Sequence, residues 1–171
     1  EGVVEPLISS LQLSPDGKRL TFLRGKDDAP KVHDLWEVNL DTGGCAILVD
    51  SNKLSGEKTE LSKEEKDRRE RMRMFSAGII SYQWNADASK ILFPVAGRLY
   101  LWCAQSDEVK ALNEKPTNIM DPKFSSLSNF ITYVEDQNVK AINLASGHVL
   151  TLTTEGGGTV RCGEAEFVAQ E

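Results

Sequence analysis

The residues best suited to binding chemistry lie in two short segments of the chain. The mixed-charge stretch GEKTELSKEEKDRRERMR, residues 56–73, contains Arg69, Arg71 and Arg73, and the last residue, Glu171, adds a carboxylate. A protonated amine donates three hydrogen bonds, which two carboxylates accept well and one carboxylate accepts poorly. Arginines on one face of a helix could in turn be presented to a ligand. Taken alone, both segments are equally typical of solvated surface, so their chemistry depends on the elements that position them.

Other catalytic and metal-binding chemistries find little support in the sequence. The cysteines and histidines are far apart and form no CxxC or His-rich cluster, so we expect no metal site and no cofactor. We interpret the cysteines as small apolar residues in or near strands. The chain contains no GxSxG nucleophile elbow, so we expect no catalytic residue in it. The cysteines are Cys45, Cys103 and Cys162, and the histidines are His33 and His148.

Composition and charge exclude several classes of protein. Apolar residues make up 40% of the chain and charged residues 27%, which is ordinary for a globular protein. The net charge is −6 and no basic face stands out, which argues against nucleic acid as a partner. No apolar run is long enough to span a membrane. The first ten residues, EGVVEPLISS, lack the features of a secretory signal, although a mature exported chain would look the same.

A repeat of short strand-like segments organises the chain. Turn-forming polar runs followed by alternating apolar residues occur at 14–22, 85–93 and 125–133. Two further strand-like runs follow each of them, at 35–43 and 45–50, at 99–107 and 108–113, and at 139–147 and 148–153. The second and third copies are offset by forty residues throughout. The segments before each turn, such as 6–13 and 78–84, supply a fourth strand.

A unit of about forty residues built from short antiparallel strands is typical of a propeller blade. We therefore predict an all-β fold, a partial β-propeller of about three to four blades that occupies residues 1–171. A β-sandwich is the alternative, but a sandwich need not repeat at a fixed length. Three blades and a stub do not close a ring, and an open array leaves sheet edges exposed. We accordingly expect the chain to be the N-terminal part of a larger propeller.

An insertion separates the first and second copies of the repeat. Ser14 and Asn85, at corresponding positions, are 71 residues apart, and the excess falls in residues 50–77. We predict a charged helix over residues 63–74, with Ser62 as N-cap and ion pairs at i,i+3 and i,i+4 spacing. It has almost no apolar face, so it cannot be a core helix. It is either a solvated surface helix or one that presents arginines to a ligand, with Arg69 and Arg73 on one face.

Several motifs together resemble a known family. RRERMR (68–73) followed by GIISYQW (78–84), then DPKFS (121–125), DQNVKAINLASGHVLTLT (136–153) and AEFVAQE (165–171), is similar to the propeller domain of dipeptidyl peptidase IV-type serine exopeptidases of the prolyl oligopeptidase family. The likeness is greatest to the bacterial enzymes and the intracellular eukaryotic branch. It covers essentially the whole chain, and the C-terminal stretch carries most of its specificity.

The resemblance implies a function and a set of partners. In that family an eight-bladed propeller caps an α/β-hydrolase domain, which is absent from this chain and supplies the serine triad that releases N-terminal Xaa-Pro or Xaa-Ala dipeptides. Glu171 matches the first of two adjacent glutamates that grip the substrate's free amine. Arg73 matches an arginine that binds the carbonyl of the second residue, and Arg69 and Arg71 are weaker candidates.

Three other expectations follow from the same resemblance. The partners are a peptide with a free N-terminus, the protein's own hydrolase domain and a second copy in a homodimer. The location is periplasmic or secreted for a bacterial protein, and cytoplasmic is the alternative. The sequence is expected to stop between the two glutamates of the amine clamp.

Three other functions remain open. The chain could be a non-catalytic propeller that binds a protein partner, or an inactive relative of the family that acts through interactions. It could also belong to an endopeptidase or acyl-peptide hydrolase of the same clan. Those enzymes lack the paired glutamates, so AEFVAQE argues against them.

Overall fold

This computed structural model describes residues 7–54 and 78–164. These residues contain twelve strands, which form three four-stranded sheets. Blade 1 contains β1 (Ile8–Leu13), β2 (Arg19–Gly25), β3 (His33–Asn39) and β4 (Cys45–Val49), and a 3-10 turn at Ser51–Lys53 follows it. Blade 2 contains β5 (Gln83–Trp84), β6 (Lys90–Val95), β7 (Arg98–Cys103) and β8 (Glu108–Ala111). Blade 3 contains β9 (Ile119–Phe124), β10 (Phe130–Glu135), β11 (Asn138–Asn143) and β12 (Val149–Thr151).

Every sheet is an antiparallel meander in chain order. The predicted all-β fold and the repeat of four short strands are therefore confirmed. The segments before each polar turn do supply the first strand of each blade, as β1, β5 and β9.

The polar turn between the first and second strands closes through its own side chains. In blade 1 the Ser14 hydroxyl donates to Asp16 at 2.6 Å and accepts from the main-chain NH of Arg19 at 2.9 Å. In blade 2 the corresponding Asn85 accepts from the NH of Lys90 at 2.8 Å. Blade 3 repeats the bond, because Ser125 accepts from the NH of Phe130 at 3.0 Å. A small polar side chain at this position therefore fixes the register of each blade.

Two apolar cores hold the three blades together. The first joins blades 1 and 2 and includes Leu23, Leu35, Ile91 and Trp102. The second joins blades 2 and 3 and includes Leu92, Leu101, Ile131, Tyr133 and Ile142. Blade 2 is therefore covered on both faces, which explains why β6 and β7 are nearly continuous apolar runs instead of alternating ones.

The first strands of neighbouring blades are joined directly by hydrogen bonds. The Tyr82 hydroxyl, just before β5, donates to the carbonyl of Ser10 in β1 at 2.7 Å. The side chain of Gln83 in β5 donates to the carbonyl of Pro122 in β9. These bonds place β1, β5 and β9 along the side where the blades approach one another, as expected of the inner strands of a propeller.

The predicted insertion is only partly within the described residues. At its start, the structure has a short 3-10 turn at Ser51–Lys53 capped by the Asp50 side chain, which accepts from the NH of Asn52 at 3.0 Å. The predicted helix over 63–74 lies outside the described residues, so the structure lends it no support.

Candidate functional site

Two kinds of loop lie at the same end of the strands in every blade, which is here called an edge of the blade. Because neighbouring strands are antiparallel, the hairpin between the second and third strands lies at the same edge as the connection that leaves the fourth strand. We call this edge the connection face. Its hairpins are residues 26–32, 96–97 and 136–137, and its described connections are residues 50–54 with 78–82, 112–118 and 152–164.

Main-chain hydrogen bonds tie each connection to the hairpin region of its own blade. The NH of Ile79 donates to the carbonyl of His33 at 3.0 Å in blade 1. In blade 2 the NH of Thr117 donates to Gly97 at 2.8 Å. In blade 3 the NH of Cys162 donates to Gln137 at 2.9 Å. The connection face is thus built in the same way in all three blades.

In blade 1 both ends of the arginine-bearing segment are fixed beside the start of β3. At the outgoing end, Ser51 donates to one oxygen of Asp34 from its main-chain NH at 2.8 Å and from its hydroxyl at 2.7 Å. The Tyr100 hydroxyl of blade 2 also donates to the carbonyl of Leu54 at 2.9 Å. At the returning end, Ile79 bonds to His33, the residue before Asp34. Residues 54 and 78 therefore bracket a segment with a fixed origin.

Gly78 is required by close packing at the returning end. Its φ of +140° lies in a region that side chains rarely adopt. A Cβ at this position would lie 2.6 Å from the main-chain nitrogen of His33 and 2.9 Å from its carbonyl oxygen. No side chain fits there without moving the backbone of β3.

A buried charged cluster holds the outgoing end. The Lys26 ammonium donates to Asp34 at 2.7 Å and to Asp50 at 2.8 Å. The side chain of Lys26 is 13% exposed, that of Asp34 4% and that of Asp50 29%. Lys26 lies in the hairpin and Asp50 in the connection, so the cluster joins the two loops of the connection face across Asp34.

The charges of this cluster reinforce one another. Burial disfavours the charged form of Lys26, but hydrogen bonds to Asp34 and Asp50 and the attraction of their charges outweigh it, so the pKa of Lys26 is raised. The hydrogen bond from Lys26 is the main cause that lowers the pKa of Asp50, and the NH of Asn52 adds to it. Lys26 and Asp50 are therefore both charged at neutral pH.

Neutral side chains accept several of the main-chain hydrogen bonds at the corresponding junctions of blades 2 and 3. Asn113 corresponds to Asp50 in the repeat, and it accepts from the NH of Leu99 at 2.7 Å. Asn138 corresponds to Asp34, and it accepts from the NH of Gly156 at 2.9 Å. Thr153, the third-blade counterpart of Asp50, accepts from the NH of Val139 at 2.9 Å. Asp50 thus has neutral counterparts in both other blades, whereas Asp34 corresponds to the charged Arg98 in blade 2 and to the neutral Asn138 in blade 3.

The last connection leads from blade 3 toward residue 171. Gly156 packs so closely on the carbonyl of Gln137 that a Cβ would overlap it. Gly163 lies against the side chains of Val134 and Val139, where a Cβ would be 2.8 Å and 2.6 Å away. The path to Glu171 is therefore held against blade 3 as far as the described residues extend.

The predicted site residues Arg69, Arg71, Arg73 and Glu171 all lie outside the described residues. The structure therefore neither brings them together nor separates them. What it adds is the set of residues that fix where their segments begin. Sequence reasoning missed Lys26, Asp34 and Asp50, although the sequence does hint at a special junction, because the first-blade hairpin 26–32 is longer than its counterparts.

The structure describes the surroundings of the cysteines and histidines. Cys45 is exposed in β4, Cys103 is partly buried in β7 and Cys162 follows blade 3, all three as free thiols. Among residues 7–54 and 78–164, no group of three or more His, Cys, Asp or Glu side chains could hold a metal ion. No helix within these same ranges is long and apolar enough to cross a membrane.

The sequence matches one family model. The model is described as the dipeptidyl peptidase IV (DPP IV) N-terminal region, and it matches residues 81–171. The match therefore includes blades 2 and 3, the connection that follows them and Glu171.

Solved structures with the same fold have low sequence identity to this chain. TolB from Acinetobacter baumannii superposes with a TM-score of 0.53 at 13% identity, over 88% of this chain and 33% of TolB. The tricorn protease gives 0.57 at 13% identity, over 90% of this chain and 14% of the protease. Porphyromonas gingivalis dipeptidyl peptidase 4 gives 0.52 at 18% identity, over 86% and 19%. At these identities the likeness establishes the propeller fold, and this chain spans about a third or less of each protein.

Proposed function

The chain belongs to the dipeptidyl peptidase IV N-terminal region family, and on this premise we propose that it is the propeller part of a serine dipeptidyl peptidase. The whole protein would remove Xaa-Pro or Xaa-Ala dipeptides from peptides with a free N-terminus. This part would bind the N-terminus of the substrate and form a wall of the chamber that encloses it.

One observation carries the proposal. The segment with the arginines leaves blade 1 at the connection face, and the path toward Glu171 leaves blade 3 at the same face. A mixed-charge segment that contains the arginines and a segment that leads to Glu171 therefore begin on one side of the blades. A peptide N-terminus carries an ammonium group next to a row of main-chain carbonyls, so it needs acidic and basic groups side by side.

In the proposed mechanism each charged residue has a separate task. Glu171 and a second carboxylate accept hydrogen bonds from the substrate's ammonium group, and Arg73 donates to the carbonyl of its second residue, with Arg69 and Arg71 as weaker candidates. Fixing the amine at a set distance from the nucleophile makes the enzyme cleave after the second residue. The serine triad and oxyanion hole, supplied by an α/β-hydrolase domain, carry out the acyl transfer.

Exposed apolar side chains support the view that more blades pack beside these three. Gln12 and Thr21 bond toward blade 2, so Leu13, which alternates with Gln12 on the strand, faces the opposite side. Leu13 is 58% exposed, and Ile47, opposite the outward-facing Trp36, is 48% exposed. Burial of such a sheet face against another blade would be favourable. A homodimer and a periplasmic or secreted location stay predictions.

The proposal is tested with the full-length protein that contains this sequence. We expect hydrolysis of a Gly-Pro chromogenic amide with a free amine and no hydrolysis of the same amide after acetylation. Glu171→Gln and Arg73→Ala should each lower kcat/KM by about tenfold or more, since each removes a charge-assisted hydrogen bond. Glu114→Gln and Arg161→Ala, in other connections of the same face, are the matched controls and should change it by less than about twofold.

The alternative is a non-catalytic propeller that binds a protein partner. The same assay separates the two, because such a protein would hydrolyse neither amide. Equal hydrolysis of both amides would instead leave a serine hydrolase without an amine clamp.

A further inference from the structure

The two junctions between the described blades share one hydrogen bond at their inner strands. Gln12 in β1 donates to the carbonyl of Tyr82 at 2.9 Å. In the same way, Gln83 in β5 donates to the carbonyl of Pro122 in β9. The two donors hold the same place in the repeat, and so do the two acceptors. One type of bond therefore joins blade 1 to blade 2 and blade 2 to blade 3, each time from the earlier blade to the later one.

The accepting carbonyl lies where the inner strand leaves its regular ladder. In blade 3, Asp121 and Pro122 lie opposite a single residue of β10, which makes a β-bulge, and Asp121 has a φ of +47°. Blade 1 has the same bulge at the corresponding Ser10, with a φ of +54°. In blade 2 the ladder begins only at Gln83, so the carbonyl of Tyr82 is also outside it. A carbonyl at this place is therefore available to a donor from the preceding blade.

In blade 3 the place of the two glutamines is taken by Lys123. Ile131 and Tyr133 pack against blade 2, so Thr132, which lies between them in β10, faces away from blade 2. Lys123 lies opposite Thr132 in the sheet and faces the same way. We call this face, which carries Lys123 and Thr132, the open side of blade 3. None of the described blades packs on it.

Lys123 has donors left for another acceptor. Its ammonium group donates to Asp121 at 2.7 Å, and the two side chains are 63% and 59% exposed. An ammonium group has three donors, so the bond to Asp121 does not use all of them. Asp121 belongs to the bulge of β9 and keeps the ammonium group beside the inner strand. Lys123 is thus placed as the glutamines are in the two earlier blades.

The open side of blade 3 also has exposed apolar area. Ala141 lies opposite Thr132, and Leu150 lies opposite Ala141, so all three side chains share this side. Leu150 is 40% exposed. Blade 3 thus presents to its open side the combination that blade 2 presents to blade 3, a donor on the inner strand and apolar side chains on the sheet.

We propose that Lys123 joins blade 3 to a further blade of the same protein. It donates to a main-chain carbonyl of that blade's inner strand, at the place that Tyr82 and Pro122 hold in blades 2 and 3. The contact continues two interfaces that the structure contains, which favours a blade as the occupant over a second copy of the chain. The inference does not depend on peptidase activity. An exposed acidic and basic pair could also bind a peptide N-terminus, so the tests separate the two roles.

Photo-cross-linking of the full-length protein tests which segment lies beside Lys123. A diazirine-bearing amino acid replaces Lys123, and we expect an intramolecular cross-link to the part of the chain that follows Glu164. The same amino acid in place of Gln83 is the positive control, because it should cross-link to β9 near Pro122. In place of Lys110, an exposed residue of β8, it should form no cross-link between blades. A covalent dimer, a cross-link to an added peptide with a free N-terminus, or no cross-link at position 123 when position 83 reacts would overturn the inference.

Amide hydrogen exchange of the full-length protein, measured by mass spectrometry, tests the hydrogen bond itself. Lys123→Met removes the donor and keeps an unbranched side chain, so exchange in β9 should become about threefold faster or more. Lys123→Gln restores the donor of the other two junctions and should stay within about twofold of the wild type. Lys110→Met controls for the loss of an exposed lysine and should also stay within about twofold. Equal acceleration by Lys123→Met and Lys123→Gln, or none by either, would overturn the inference.

Kinetics separate a contact between blades from a contact with substrate. We expect Lys123→Met to leave KM for the Gly-Pro chromogenic amide within about twofold of the wild type. A KM raised by about tenfold, together with unchanged hydrogen exchange, would make Lys123 a substrate-binding residue and contradict the proposal. If the wild type hydrolyses no amide, the proposed function fails, but the cross-link and the hydrogen exchange still decide whether Lys123 joins two blades.

Discussion

The side chain of Gln12 donates a 2.9 Å hydrogen bond to the main-chain carbonyl of Tyr82 and so links the inner strand of blade 1 to blade 2. Gln83 occupies the corresponding position of blade 2, and it donates to the carbonyl of Pro122 in blade 3. The repeat in the sequence is therefore also a repeat of contacts between blades. In blade 3 the same position is Lys123, which pairs with the exposed Asp121 at 2.7 Å.

Replacing Gln83 with leucine should weaken the link between blades 2 and 3. The variant would lose one partly buried hydrogen bond and leave the carbonyl of Pro122 without it, which should lower the free energy of unfolding by about 1–3 kcal/mol. Urea unfolding followed by circular dichroism would measure the change. Gln105→Leu, at an exposed turn of the same blade, is the control and should stay within about 0.5 kcal/mol. Equal effects of the two variants would show that the inter-blade bond contributes nothing.

Trp102 is the residue whose loss should most disturb the core between blades 1 and 2. Its ring meets Trp84 edge to face at 5.9 Å, lies under the guanidinium of Arg19 and donates to Asp107 at 2.9 Å. We expect Trp102→Ala to lower the free energy of unfolding by about 3–5 kcal/mol. Trp36→Ala, on the open side of blade 1, leaves both inter-blade cores intact and should lower it by less. If Trp36→Ala lowered the free energy of unfolding more than Trp102→Ala, the core between blades 1 and 2 would not be the main source of stability.

The sequence was sufficient to predict the blades because each of their features is local. Ser14, Asn85 and Ser125 close their turns with residues five positions away, and the alternation of the strands follows from the pleat. The charged cluster could not be predicted in the same way. The role of Asp34 depends on its hydrogen bonds to Lys26 and Ser51. The hairpin brings Lys26 to it and the connection brings Ser51, so neither bond is visible in the local sequence.

The candidate site was predicted from resemblance rather than from physical chemistry. A charged segment such as the one that contains Arg73 has the composition of any solvated surface, and only the family indicates a ligand. The long insertion itself was visible as a break in the forty-residue repeat. Its anchoring on His33 and Asp34 was not, because a break in a repeat gives no information about where the two ends of an insertion meet.

Gly78 should tolerate no side chain, because its neighbours are backbone atoms. Gly78→Ala would place a methyl group against the nitrogen and carbonyl of His33, so β3 or the returning segment must shift. We expect a loss of more than about 1 kcal/mol in the free energy of unfolding, together with a higher KM for the Gly-Pro amide. Gly147→Ala is the control for backbone strain alone, since its φ is +72° and nothing lies within 4 Å. If both variants lose the same stability, the packing on His33 is unimportant.

The charged cluster should make the stability of blade 1 sensitive to acid. The pKa of Asp50 is lowered in the folded protein, so its contribution to stability is full above the ordinary pKa of about 3.9 and is lost as pH falls through the lowered value. The pKa of Lys26 is raised, so its contribution is full below the ordinary pKa of about 10.4 and is lost only as pH rises through the raised value. Both contributions are therefore complete at neutral pH.

Asp50→Asn should reveal the acid-sensitive share of this stability. At pH 7 the variant should unfold at lower urea concentration than the wild type, because Lys26 keeps only one of its two carboxylate partners. Below pH 4 the difference should shrink, because Asp50 of the unfolded wild type then binds a proton, whereas the folded protein does so only at its lowered pKa. Asp28→Asn, at an exposed position of the same hairpin, should show a small difference that does not change with pH. A gap between wild type and Asp50→Asn that stays constant from pH 7 to pH 3 would mean that the charge of Asp50 does not stabilise the connection.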